Sequence, residues 1–134
     1  MKSHRDRLQI TDLGCGGGRN AGELLRKYPN AKVTAVDYSA LSVEKAKEYN
    51  KNEIASGRCT VMQGDVSDLK LPAGKYDLAT AFETVYFWPG LEKCFAQVCR
   101  VLKPGGWFMP TSRGSQSLQE RHEGMTAPMA KKNQ

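Results

Sequence analysis

Three aspartates and a run of glycines are the residues of this chain whose types and spacing could do chemistry. Gly14, Gly16, Gly17 and Gly18 fill four of five positions in DLGCGGGRN, with Asp12 just ahead of them. A chain that bare lets a ligand touch backbone and lets φ turn positive. A tight turn needs one such glycine; four ask for a ligand. Asp37, in AVDYS, lies about 20 residues beyond the loop, where a carboxylate can accept both hydroxyls of a ribose or cap the next helix. Asp65, in GDVSDLKLP, could accept the exocyclic amine of an adenine while the Val66 N–H meets a ring nitrogen. Its plainer role is to form a turn. Asp12 discriminates between ligands: it would repel a pyrophosphate and attract a ligand carrying an amino group and positive charge.

Those residues need elements to hold them. Residues 8–13 (LQITDL), 31–36 (AKVTAV), 58–63 (RCTVMQ), 76–82 (YDLATAF) and 106–110 (GWFMP) read as strands. Residues 20–28 read as a helix stopped by Pro29, and Ser39 caps a second helix through about Ile54, ended near Gly57. Leu91, Cys94, Phe95, Val98, Val101 and Leu102 fall on one face of a third, which KPGG (103–106) should stop. The link 65–75 has room for a short helix at most. Alternating strands and helices predict a parallel sheet covered on both faces. Residues 111–134 are polar and without sustained apolar period, apart from a short helix near Leu118–His122. The expected division is therefore a core over 1–110 and an irregular tail over 111–134.

Composition excludes several classes of function. The 134 residues suffice for one domain, and no apolar run approaches a membrane span. The basic N-terminus lacks the apolar core of a signal peptide. Cys15, Cys59, Cys94 and Cys99 form no CxxC pair and sit near no metal-spaced histidines, so they read as reduced structural thiols in a cytoplasmic protein, with no metal. The net charge of +6 invites a nucleic-acid reading, but residues 8–110 hold 13 Lys and Arg against 11 Asp and Glu. Most of the excess lies in the ends, with no basic stripe interleaved with aromatics. Neither nucleic acid nor membrane is an expected partner.

A dinucleotide is the obvious candidate for a glycine loop, through G-x-G-x-x-G/A. Read from Gly14, the third glycine position is Arg19; read from Gly16, the frame is Gly16, Gly18 and Ala21, two residues late after the strand. An NAD-dependent oxidoreductase thus stays open on a weak fingerprint.

DLGCGGGRN, AVDYS, GDVSDLKLP, YDLATAFETVYFWP and RVLKPGGWF follow one another, and together they resemble the class I S-adenosylmethionine-dependent methyltransferases of the small-molecule type over residues 8–109. The resemblance implies an α/β, Rossmann-like three-layer sandwich with a mainly parallel five-stranded sheet in the order 3-2-1-4-5. It implies S-adenosylmethionine as cofactor and a small molecule as methyl acceptor. Gly14, Cys15 and Gly16 would line the methionine and ribose through backbone, with Asp12 close to the methionine amino group. Asp37 would hold the ribose hydroxyls, Tyr38 would flank the adenine, and Asp65 and Val66 would read its edge. Glu83 and Thr84 would border the methionine end and the acceptor. Tyr86, Phe87 and Trp88 would wall a substrate pocket, or else pack the loop onto the helix that follows. The catalytic group is unknown, with Glu83 the one weak candidate for a base.

The chain departs from the family at its ends. Only seven residues precede the first strand, where members carry a segment over the cofactor, and the usual last two antiparallel strands are lacking. The expectation is a natural short form or a truncated one, either a working enzyme or a catalytically incomplete remnant that binds cofactor or self-associates. An uncovered fifth strand, GWFM, would leave N–H and C=O groups and two aromatics free, which predicts a homo-oligomer through this edge or a tail folded over it.

Overall fold

The structure is a computed structural model and describes residues 8–82 and 90–111. Five strands form the sheet: β1 (Gln9–Leu13), β2 (Lys32–Asp37), β3 (Cys59–Gln63), β4 (Tyr76–Phe82) and β5 (Leu102–Thr111). The helices are α1 (Arg19–Lys27), α2 (Ala40–Tyr49), α3 (Lys51–Ala55) and α4 (Leu91–Val101), and a single 3-10 turn, Val66–Asp68, fills the short link after β3. The strand order is β3-β2-β1-β4-β5, as the family resemblance implied, and every pairing is parallel, as the alternation predicted.

Two apolar layers follow from strand alternation. Ile10 on β1 and Val33 and Ala35 on β2 meet Ala21, Leu24 and Leu25 of α1 and Val43 and Ala46 of α2 on one face. Leu13 and Val36 share the other with Cys94, Val98 and Val101 of α4 and Phe108 of β5. Phe95 stands edge-on to Phe108, ring centres 5.6 Å apart at 75°, the favoured geometry for an aromatic pair.

Three local expectations change. The Ser39 cap forms, its hydroxyl accepting from the Ser42 N–H at 3.2 Å, but the helix is broken at Asn50 into α2 and α3. The Asn50 side chain is buried and bonded to the glycine loop, and seating it there interrupts the helix. Leu91, expected on the buried face of α4, is 47% exposed, because it opens the helix beyond the edge of the packed layer. KPGG does not separate α4 from its strand. Leu102 is already extended, and β5 runs through Lys103–Gly106 with a register shift against β4 between Tyr76 and Leu78. Pro104 disfavours the helical region at Lys103, and Gly105 takes φ +82°.

Glu83, Thr84, Tyr86, Phe87 and Trp88, and the tail beyond Thr111, lie outside the described residues.

Candidate functional site

The sheet brings Asp12, Asp37 and Asp65 to one place because β1, β2 and β3 are adjacent and parallel, so their carboxyl ends lie side by side. That edge is where open α/β sheets bind ligands. β1 ends at Leu13, and the chain turns through Gly14, Gly16 and Gly18 at φ +79°, +56° and +88° before α1 begins. Each of those angles is costly for a residue with a Cβ.

The loop is tied sideways to β2. The Gly14 and Cys15 N–H groups both donate to the Val36 carbonyl, at 2.7 and 2.9 Å, and the Gly18 N–H donates to the Cys15 carbonyl at 3.0 Å. The Gly16 N–H donates to Asp37 Oδ2 at 2.8 Å, while Asp37 Oδ1 accepts from the Ser39 N–H at 2.8 Å. The first three amides of the loop therefore point into the protein. A phosphate cradle needs such amides turned toward the ligand. Above Gly16 and Gly17 the space is open, for a Cβ built on either meets nothing within 4 Å.

Behind the loop the packing is tight. A Cβ on Gly18 would fall 2.7 Å from Ala46 Cα and 2.7 Å from Asn50 Nδ2. Asn50 Nδ2 donates to the Gly18 carbonyl at 2.9 Å and to the Ala46 carbonyl at 3.2 Å. Gly22, one turn into α1, is equally crowded, its absent Cβ 2.9 Å from the Tyr49 ring. The loop is thus held between β2 in front and the α2–α3 junction behind.

Asp12 lies beneath this loop, 1% exposed. Its Oδ1 accepts from Thr80 Oγ1 of the adjacent β4 at 2.8 Å. Its Oδ2 is buried with no hydrogen-bond partner, the only such side-chain atom among the described residues. Burial pushes the Asp12 carboxyl up to about 7; the Thr80 bond opposes the rise and the Asp37 carboxylate adds to it. Burial, with Asp12 and Asp37 nearby, pushes the Cys15 thiol up to about 12, so it is a neutral filler and no nucleophile.

The other predicted residues fall around this centre. The Gly64 N–H donates to the Asp37 carbonyl at 2.9 Å, placing Asp65 beside the end of β2. Asp65 forms the turn considered for it: Oδ1 accepts from the Ser67 N–H at 2.9 Å and Ser67 Oγ at 2.7 Å, bonds that hold its carboxyl below the usual range. Val66 is half-buried after it. Tyr38 stands 77% exposed on the rim, tied only through its carbonyl to Gln63 Nε2 at 3.0 Å.

Two residues of the site escape a sequence reading. Thr80 left a faint signal, a hydroxyl in the apolar run LATAF that ends β4. Asn50 left none, since KEYNKNE reads as a solvated helix face.

An orphaned buried carboxylate oxygen, inward-turned amides and open space over bare backbone fit a cationic adenosyl group better than a pyrophosphate.

Comparison with known proteins agrees. The family described as a methyltransferase domain matches residues 10–106. Sterol 24-C-methyltransferase of Aspergillus fumigatus is 32% identical over 104 residues, 78% of this chain and 27% of its own length. Malonyl-[acyl-carrier protein] O-methyltransferase of Priestia megaterium is 30% identical over 115 residues, 86% of this chain and 40% of its own. The chain thus spans less than half the length of both relatives. Among solved structures, the [4+2]-cyclase SpnF superposes with a TM-score of 0.71 at 25% identity, over 77% of this chain and 38% of that one. A protein from Galdieria sulphuraria assigned as a sarcosine dimethylglycine methyltransferase gives 0.72 at 25%, over 77% and 38%.

Proposed function

The chain belongs to the methyltransferase domain family, and on that premise we propose that it transfers a methyl group from S-adenosylmethionine to a small-molecule acceptor. S-adenosylmethionine is the cofactor that the family implies. When bound, it supplies an activated methyl on a sulfonium centre.

The observation that carries this reading is the buried, unpartnered oxygen of Asp12 beneath a glycine loop whose amides face inward. Such a site favours positive charge and offers little to phosphate. Asp37 keeps further acceptor capacity for ribose hydroxyls, because an ionised carboxylate has roughly four lone-pair sites and two are used. Asp65 Oδ1 is spent on its turn, so the adenine edge falls to its other oxygen and to the Val66 N–H. Exposed Tyr38 supplies a flat wall for the adenine. Gly14, Cys15 and Gly16 contribute shape and carbonyls rather than amides.

We assign the acceptor pocket to Glu83, Thr84, Tyr86, Phe87 and Trp88, which follow β4 in the sequence. Their task is to align the acceptor and exclude water; alignment alone can contribute about 7–11 kcal/mol in favourable intramolecular reactions. The relatives named above act on a sterol and on a malonyl-carrier protein, and a small acceptor fits that range. The protein works in the cytoplasm on this reading; no helix among the described residues is long and apolar enough to cross a membrane. β5, at the edge of the described sheet with Trp107 38% exposed, pairs with a second copy. A single monomeric species by sedimentation at all concentrations would sink that last point.

Calorimetric titration with S-adenosylhomocysteine tests the cofactor reading. Wild type should bind it and should not bind NADH. Asp37→Ala should lose roughly 1.5–3 kcal/mol of affinity through charged hydrogen bonds to ribose and loop. Equal affinity would remove Asp37 from the site, and NADH binding alone would replace the whole reading. Methyl transfer to an acceptor panel then separates a working enzyme from a protein that only holds the cofactor.

A further inference from the structure

We infer that Asp12 couples a proton to the charge filling the cradle: its free oxygen carries a proton while the cradle lacks a cation, and releases it to solvent when a cationic cofactor enters. This rests on the cofactor reading above.

Every element packed around Asp12 bears on its charge. β4 contributes the Thr80 hydroxyl, a single neutral donor to Oδ1. β2 contributes Asp37, a second carboxylate whose field opposes ionisation. The loop contributes Cys15 and β3 contributes Cys59, both thiols pushed far up and therefore neutral. No lysine or arginine among the described residues pairs with Asp12; the ion pairs there are Lys51–Glu48, Arg58–Glu53, Lys70–Asp68 and Lys103–Asp77.

A carboxylate that is buried, unpaired on one oxygen and next to another anion lowers its energy by taking a proton, or by gaining a cation or a further hydrogen-bond donor. Among the described residues no cation pairs with it, so the empty site takes the proton. A ligand bearing ammonium and sulfonium charge makes the proton unnecessary, and one proton leaves for each cofactor bound. The protons balance without any redox step. Below the pH at which the empty site gives up its proton, affinity should fall about tenfold per pH unit, because binding must then expel it.

The test is calorimetric titration of the full chain with S-adenosylmethionine between pH 5.5 and 8.5, in buffer pairs of different ionisation enthalpy. At pH 6 wild type should release close to one proton more than Asp12→Asn, and at pH 8.5 the two should exchange equal numbers, the ligand's own amino group, ordinarily at about 7.7–8.0, being common to both. Asp12→Asn should lack that release at pH 6 and should not show the tenfold-per-unit fall in affinity at acid pH. Infrared spectra of the cofactor-free wild type give a second readout that does not depend on the variant folding. A protonated-carboxyl band should be present at pH 6 and vanish on adding cofactor. Binding without proton release, or a band that persists with cofactor bound, overturns the coupling and leaves the cofactor site standing. Failure of S-adenosylmethionine to bind at any pH overturns the cofactor reading, and this inference with it.

Discussion

Two aspartates, one at each end of the sheet, stand in contrasting states. At the carboxyl ends, Asp12 is buried with one oxygen unmet and no cation paired to it among the described residues. At the amino ends, Asp77 has both oxygens engaged: Oδ2 accepts from the Gln9 N–H at 2.9 Å, and Oδ1 from Lys103 Nζ at 3.1 Å. The amino end also holds a hollow of about 250 Å³ lined by Leu8, Tyr28, Asp77, Lys103 and Trp107 among others. This hollow and the unmet polar atom lie at opposite ends of the sheet. The unmet atom is the better guide, because a buried polar atom without a partner has a free-energy cost that folding alone would not retain. A hollow beside a satisfied ion pair has no such cost to explain.

The largest effect that could break this contrast is pH-dependent. The Asp12 carboxyl is raised from 3.8 to about 7 in the folded chain, so between those values the folded state binds the extra proton. Stability from this group is therefore present at low pH and lost as pH rises toward 7, by on the order of 4 kcal/mol. Denaturant melts of cofactor-free wild type and Asp12→Asn at pH 5 and pH 8 should show that slope in the first and not in the second. Asp77→Asn should leave the slope intact. Equal slopes in wild type and Asp12→Asn would erase the distinction between the two ends.

Glycines sharpen the same comparison. Gly18 and Gly105 have similar φ, +88° and +82°, at opposite ends of the sheet. Behind Gly18 a Cβ meets Ala46 and Asn50 at 2.7 Å; around Gly105 it meets nothing within 4 Å. Gly18→Ala should cost about 2–4 kcal/mol through overpacking added to backbone strain, against about 1 kcal/mol for Gly105→Ala from strain alone. Urea midpoints measure both. Only the first should also abolish binding of S-adenosylhomocysteine.

Asn50→Ala should cost about 1–3 kcal/mol, leaving the buried Gly18 carbonyl without its side-chain donor. Its cofactor affinity should fall further than that of Val98→Ala, an equally buried change on the far layer. The smallest effect belongs to Lys103→Met. That pair is partly solvated, with side chains 44% and 29% exposed, and its loss should cost no more than about 1 kcal/mol and leave cofactor binding unchanged.

Much of the framework was legible in the residues because it rests on local rules. β4 is found at 76–82 as YDLATAF indicates, and Ser39 caps α2 as its hydroxyl and position require. The parallel pairing followed from the alternation of strands with helices; the order of the strands followed only from the family resemblance. The site was legible in its residue types and less so in its bonds. DLGCGGGRN announces bare backbone but not that Gly14, Cys15 and Gly16 spend their amides on Val36 and Asp37. Asp65 admitted two roles, and its bonds to Ser67 fill one of them without excluding the other. Asn50 and Leu91 misled in opposite senses: a polar residue buried by its bond to Gly18, 32 residues away, and an apolar one left exposed as the first residue of its helix.

What the sequence determined by itself is a parallel sheet whose glycine turn leaves β1 and whose aspartates stand at three strand ends. Periodicity and turn chemistry act over a few residues, and they suffice for that. Tertiary structure alone decided that Thr80, 68 residues from Asp12, meets one of its oxygens and leaves the other unmet, and that Asn50 backs Gly18 across 32 residues. Which buried group goes unsatisfied depends on strand register and helix placement, and no local pattern encodes either.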